Sequence, residues 1–236
     1  AGEKVTGRAL YNADVITPGL LYGVLVTSTC AHGKIKSIEI DEANSMPGVK
    51  TIVTGETYPI LTGSVLEDRP PLARDKVRCY GEPIAIVIAR SKYEACAAAA
   101  SVKVLYEELP PVDSPGKAMQ PDAPLVHENL GQYKKVIPDV YPAAGTNICH
   151  HARIRKGNMD KGWEEAEIIV EGSYLLPASD HMAMEPRNAR AEVLPDGQII
   201  IHTSSQGPFA VRNVISEHFN KELGKVIVHV PLVGGG

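Results

Sequence analysis

Tryptophan and phenylalanine are almost missing from this chain. Trp163 stands alone beside two phenylalanines, and aromatic residues make up only 5% of 236 positions. That scarcity argues against a stacking platform for single-stranded nucleic acid, which needs several aromatic faces in a row. An excess of cations is missing too: 24 Lys and Arg face 28 Asp and Glu, a net charge of -4, so nothing in the balance neutralises a run of phosphates. No apolar run approaches the ~20 residues that span a bilayer, and the opening AGEKVTGRALYNAD lacks the apolar centre of a secretory signal. The expectation is a cytoplasmic protein with neither a nucleic-acid nor a membrane partner. Cysteine is sparse as well. Cys30, Cys79, Cys96 and Cys149 form no Cys-x-x-Cys pair, which spells out neither a zinc site nor an iron-sulfur cluster and predicts four reduced, mostly buried thiols. An initiator methionine is absent and the chain stops on Gly234, Gly235 and Gly236, so both ends read as cuts within a longer protein.

What is present is an ordinary globular mixture, 44% hydrophobic and 22% charged, with an aliphatic core and room for one large domain or two. LLYGVLVTS and KIKSIEI read as neighbouring strands, DEANSM as a short helix stopped by Pro47-Gly48, and VKTIVTG as a strand. Ile84 to Ala89 is too short and too β-branched for a helix and predicts a buried strand. Ser91 is a candidate N-cap for the alanine-rich helix that follows, and VKVLYEEL closes this part as a strand. Prolines then scatter from Pro110 to Pro142, the mark of a connector lying across its neighbours, where proteases would cut first. Beyond it HHARIRKG and IIVEGSYLLP read as strands around a short helix, DKGWEEAE. NARAEVL and QIIIHTS form a hairpin about Asp196-Gly197. A helix then opens at Pro208, and VIVHVPLV is a last strand. The fold class expected is α+β.

Candidate chemistry sits at two turns. Ser204-Ser205-Gln206-Gly207-Pro208 lies where a strand ends and a helix begins, so free backbone N–H groups, a positive helix end and a neutral amide converge there. The same residues could equally form a plain helix cap with a solvated Gln206. Gly234, Gly235 and Gly236 allow close approach of backbone to a ligand, or make a plain turn. A full helix between the two strands favours parallel pairing, which would put both turns at one edge. His181 and Glu185 are four apart, but Pro186 pushes Glu185 away from helix, so a buried hydrogen-bonded pair is the reading preferred over a metal pair. His150 and His151 alternate faces on the expected strand and make no chelate.

Taken in order, VTGRALYNAD, AHGKIKSIEID, MPGVKTIVTGE, DKVRCYGEPIAIVIA, VKVLYEELPPV, the ARIRKGNMDKGWEEAEIIVEGSY block, HMAMEP, SSQGPF and VPLVGGG resemble the molybdenum-cofactor subunit of the xanthine dehydrogenase and aldehyde oxidase family along the whole chain. The resemblance implies an N-terminal fragment: an a/b hammerhead domain at 1–110, a proline-rich connector at 111–147, and at 148–236 the truncated start of the first molybdopterin-binding domain. It implies hydroxylation of a purine, another N-heterocycle or an aldehyde with water-derived oxygen. The molybdenum would be held by its pterin and by no protein side chain, which makes the expected metal ligands none. Electrons would pass to iron-sulfur and FAD partners on other subunits or segments. Gln206 matches the glutamine that hydrogen-bonds an oxygen on the metal, and Gly234, Gly235 and Gly236 match a glycine motif lining the cofactor. Catalytic residues would lie further along, so none is expected here, and the fragment alone should be inactive. An aldehyde oxidase or carbon monoxide dehydrogenase type of large subunit is the alternative within the family. A non-catalytic subunit-docking domain and a nucleotide binder using the glycine turn are the alternatives outside it.

Overall fold

A computed structural model describes residues 2–235. In chain order the elements are α1 (Gly2–Val5), a 3-10 turn (Asn12–Asp14), β1 (Tyr22–Thr27), β2 (Gly33–Glu39), α2 (Asp41–Asn44), β3 (Val49–Thr54) and β4 (Lys76–Val77). They continue with β5 (Pro83–Ala89), α3 (Lys92–Ser101), β6 (Lys103–Glu108), α4 (Pro115–Ala118) and α5 (Met159–Glu164). The last are β7 (Ala189–Val193), β8 (Ile199–Thr203), α6 (Pro208–His218), a 3-10 turn (Leu223–Lys225) and β9 (Val226–His229). No helix among the described residues is long and apolar enough to cross a membrane.

By contact the chain divides into two compact units, Thr17–Ala152 on the one hand and the chain up to Ile16 with that from Arg153 onward on the other. In the first, β5 is the middle strand of a sheet ordered β1-β5-β3, antiparallel to both neighbours. Its continuous apolar sequence has a physical reason, because one face is covered throughout and the other at its start, with Ile86 and Ile88 beyond half-buried. Ala85 and Val87 join Ala43, Ile52 and Ala98 in one cluster, while Ile84 points the other way into a cluster with Cys30, Ala73 and Val77. Helix α3 packs on β1 and β5 through Ala95 and Ala98, small enough to let the helix lie close. It starts as expected: Ser91 Oγ accepts from Glu94 N at 3.2 Å and donates to Glu94 Oε2 at 2.8 Å.

β1 and β2, expected to pair, lie in different sheets, since β2 is the centre of β4-β2-β6. Polar bonds at the corner between them account for the change. Ser28 N donates to Glu82 O at 2.8 Å, and Ser28 Oγ brackets Cys30 by accepting from its N at 3.0 Å and donating to its O at 2.6 Å. The expected domain edges at 110 and 147 fall inside this unit, where strands give way to proline-rich chain. That chain is anchored across β4. Lys76 Nζ donates to Leu125 O and meets Glu128 Oε1, both at 2.7 Å, Leu130 and Val140 bury with Leu66, and Asn147 bonds Val126, Ala118 and Pro124.

In the second unit β7 and β8 form the expected hairpin, with Gly197 at φ 81° and Asp196 accepting from Gln198 N at 3.1 Å. β8 then pairs in parallel with β9 across α6. The core here is small: among the described residues Ile199, Ile201 and Val226 are its buried apolar side chains. The strands expected at 150–157 and 168–177 do not form. Their β-rich sequences have no partner among the described residues to take their ladder bonds, and the second runs extended with Leu175 98% exposed. The thiols also depart from expectation, since all four are free but Cys30 alone is buried, the other three being exposed.

Candidate functional site

Parallel pairing of β8 and β9, from Ile199↔Val226 to His202↔His229, sends both strands out at the same edge. From β8 the chain runs through Ser204 to Gly207 into α6, and from β9 it runs to Gly234 and Gly235. Gly207 occupies the N-cap of α6 and Pro208 its first turn, so Gln206 caps nothing. Ser205 Oγ accepts from Gly207 N at 3.1 Å and fixes the turn from within. The Gln206 amide is exposed and makes no hydrogen bond among the described residues. It is left outward as one donor pair and one acceptor beside the positive end of an 11-residue helix.

The glycine turn is shaped by its neighbours. A Cβ at Gly234 would lie 2.5 Å from Glu185 Cβ and 3.3 Å from the Tyr11 ring, and one at Gly235, where φ is 141°, would lie 2.8 Å from Ala183 Cβ. Both glycines are therefore required by the close approach of the Ala183–Glu185 segment. Gly236 lies outside the described residues. The residue that joins the two turns is Glu185. Its Oε2 accepts from Gly234 N at 2.7 Å, and its Oε1 accepts from Ser204 Oγ at 2.8 Å and from Asn188 Nδ2 at 3.3 Å. The Gly234 N–H, and next the Ser204 hydroxyl, hold the Glu185 carboxyl below the usual carboxylate range. Asn188 is fixed in turn, because its Oδ1 accepts from Asn12 Nδ2 at 2.5 Å and its Nδ2 also donates to Pro186 O at 2.8 Å. Asn12 Nδ2 reaches His202 O at 3.1 Å, and Tyr11 bridges Leu232.

His181, expected to be buried beside Glu185, is exposed, and the segment is irregular rather than helical, with Met182 at φ 51°. Glu185 is hydrogen-bonded as expected and half-buried. Among the described residues no three His, Cys, Asp or Glu side chains converge as a metal would require. His150 is on no strand; its Nδ1 accepts from Tyr141 N at 3.2 Å. Beside the edge, His202 and His229 stack with ring centres 5.0 Å apart, and Arg190 is the register partner of His202 on β7. Desolvation, then Arg190 and His229, lowers the affinity of His202 for its proton.

Sequence comparison matches residues 6–110 to the a/b hammerhead domain of aldehyde oxidase and xanthine dehydrogenase, and residues 140–236 to the molybdopterin cofactor-binding domain. The chain belongs to the xanthine dehydrogenase and aldehyde oxidase family. Its fold class is accordingly the expected one, α+β with a hammerhead domain followed by the start of a molybdopterin-binding domain. Among relatives of this family member, the xanthine dehydrogenase molybdenum-binding subunit of Escherichia coli O157:H7 is 32% identical over 99% of the chain and 30% of that protein. The nicotinate dehydrogenase large molybdopterin subunit of Eubacterium barkeri is 28% identical over 99% of the chain and 52% of that protein. Quinoline 2-oxidoreductase from Pseudomonas putida 86 superposes with a TM-score of 0.83 at 27% identity, over 100% of this chain and 29% of that one. The chain thus spans about 30% of the length of the xanthine dehydrogenase subunits it matches. Every residue of the edge from Glu185 to Gly235 lies within the cofactor-domain match.

Proposed function

We propose that this chain is the N-terminal part of the molybdenum-cofactor subunit of a xanthine dehydrogenase-like molybdenum hydroxylase, and that Gln206, Gly234, Gly235 and Gly236 face the molybdopterin cofactor. The observation that carries the reading is the free Gln206 amide at the edge where both turns emerge, in a turn whose other polar side chains are already tied. The residues suit the group. The Gln206 amide and the start of α6 offer neutral donors to an anionic, oxygen-rich ligand, and Glu185 spends both carboxylate oxygens within the protein, which limits repulsion of such a ligand. When bound, the cofactor supplies two-electron oxidation of a carbon centre with oxygen from water, on a purine, another N-heterocycle or an aldehyde. Gln206 would orient it by donating and accepting at one side, and Gly234 and Gly235 would bring backbone close at the other. In this reading residues 1–110 are the hammerhead domain, which the match at 6–110 favours, 111–147 the connector and 148–236 the start of the cofactor domain, whose match begins earlier, at 140. The partners are the remainder of the subunit and iron-sulfur and FAD subunits or segments, and the location is cytoplasmic. The apolar stretch through Ile168, Val170, Leu175 and Leu176, exposed here, favours cover by that remaining polypeptide.

The test is Gln206→Ala in the molybdenum-loaded enzyme. Losing one preorganised donor costs ~2–4 kcal/mol of transition-state stabilisation, so turnover per bound molybdenum falls roughly a hundredfold to a thousandfold with the unfolding midpoint unchanged. Unchanged turnover would return Gln206 to a solvated turn residue.

A further inference from the structure

We infer that Glu185 is a positioning residue that sets the gap between the Gln206 turn and the glycine turn, and so the width of the cofactor edge. This rests on the reading of that edge given above. One carboxylate spans the two turns: Gly234 N on Oε2 at 2.7 Å, Ser204 Oγ on Oε1 at 2.8 Å. The second backbone contact, Glu185 N to Gly234 O at 3.4 Å, makes the junction with the glycine turn two-point. Gly234 admits this only because it has no Cβ, so Glu185 and Gly234 require each other. On the other side the Ser204 and Ser205 hydroxyls are both engaged, and within the turn Gln206 alone keeps a free polar side chain. A movement of Ser204 toward or away from Gly234 therefore changes the distance from the Gln206 amide to the glycine backbone.

The chemistry calls for a carboxylate and not an amide. Three donors converge on Glu185, and charge-assisted bonds of this kind are shorter and stronger than neutral ones. Asn188 cannot turn over to present an acceptor, because its Oδ1 already accepts from Asn12 and its Nδ2 also serves Pro186 O. A glutamine at 185 would keep its oxygen on Gly234 and set its NH2 against Ser204, whose hydroxyl can reverse, and against Asn188, which cannot. Glu185→Gln should thus keep the glycine arm and weaken the serine arm. Glu185→Ala loses both.

The experiment compares Glu185→Ala, Glu185→Gln and Ser204→Ala with the parent holoenzyme at equal molybdenum content. Three readouts are taken: amide hydrogen exchange of the peptide containing Gly234, the electron paramagnetic resonance line shape of partly reduced molybdenum, and the pH profile of kcat. Glu185→Ala should speed exchange at Gly234 at least tenfold and shift the line shape. Ser204→Ala should shift the line shape with little change in Gly234 exchange, and Glu185→Gln should fall between the two. Unchanged Gly234 exchange in Glu185→Ala would overturn the clasp, and so would an unchanged line shape in both Glu185 variants. If Glu185→Gln folds where Glu185→Ala does not, a parental line shape and pH profile in Glu185→Gln overturn the positioning role. A spectrum that answers to Glu185 and not to Gln206→Ala would leave the clasp standing and remove Gln206 from the cofactor edge.

Discussion

The strand at the middle of the first unit, β5, and the one at the middle of the second, β8, are both rich in aliphatic residues, but they are closed to different degrees. β5 buries Ala85, Val87 and Ala89 completely on the face under α2 and α3, and Ile84 completely on the other, where side chains from the β4-β2-β6 sheet cover it, while Ile86 and Ile88 further along that second face stay half-buried. β8 buries Ile199 and Ile201, while Ile200 and His202 on its alternate face remain half-buried. Helix α6 packs on β9 as the one long helix of that unit among the described residues. The difference is one of layers: β5 has helices over one face and a second sheet over the start of the other, and β8 has no second sheet among the described residues. The second unit compensates with polar ties, the chain from Asn12 through Asn188 to Glu185 and on to both turns.

The comparison breaks most readily by truncating side chains. Ile84→Ala should cost ~2–5 kcal/mol of unfolding free energy in urea, because the site is closed on all sides and leaves a cavity. Leu175→Ala should stay within about 0.5 kcal/mol, and similar losses at the two sites would refute the contrast. Limited proteolysis sharpens it next. The first cut should fall between residues 165 and 182, where no regular bonding protects the chain, and not in the proline-rich connector, which Lys76 and Asn147 anchor. A first cut between 111 and 147 would show those anchors to be weak. Smaller is Ser91→Ala, expected to remove ~1 kcal/mol with its cap of α3 and to lower the unfolding midpoint by a few degrees. The smallest effect is pH-dependent. His202 binds its proton less readily folded than unfolded, so its contribution is intact above about pH 6.5 and is lost as the pH falls below that value. Glu185 has a lowered folded pKa, so its contribution is present above the unfolded value of about 4.3 and is lost as pH falls through the lower folded one. His202→Phe, which keeps a ring against His229, should lessen the fall in unfolding midpoint between pH 7 and 5 while leaving the acid limb below pH 4.5.

Local signals account for what was legible in the amino-acid order. β5 announces itself as an unbroken apolar run, α3 by Ser91 and its alanines, the β7–β8 hairpin by Asp196-Gly197, and α6 by Pro208 after Gly207. Parallel pairing of β8 and β9 followed from the length of the intervening helix. What was not legible depends on partners distant in sequence. Residues 168–177 have strand composition and no strand to join among the described residues, and β1 and β2 part company because Ser28 and Glu82 bond across the corner. Glu185 draws on residues 12, 188, 204 and 234, which share no spacing that periodicity could detect. Its only local sign was Pro186, which marked the segment as non-helical.

Amide hydrogen exchange resolved along the chain tests the central contrast most directly. Amides of β5, bonded on both sides to β1 and β3, should exchange slowest, near the limit set by global unfolding, and those of residues 166–176 should exchange within seconds to minutes at neutral pH. β8 and β9 should fall between them. Protection across 166–176 equal to that of β5 would contradict the account, because it would mean that the second unit closes its own core as fully as the first does.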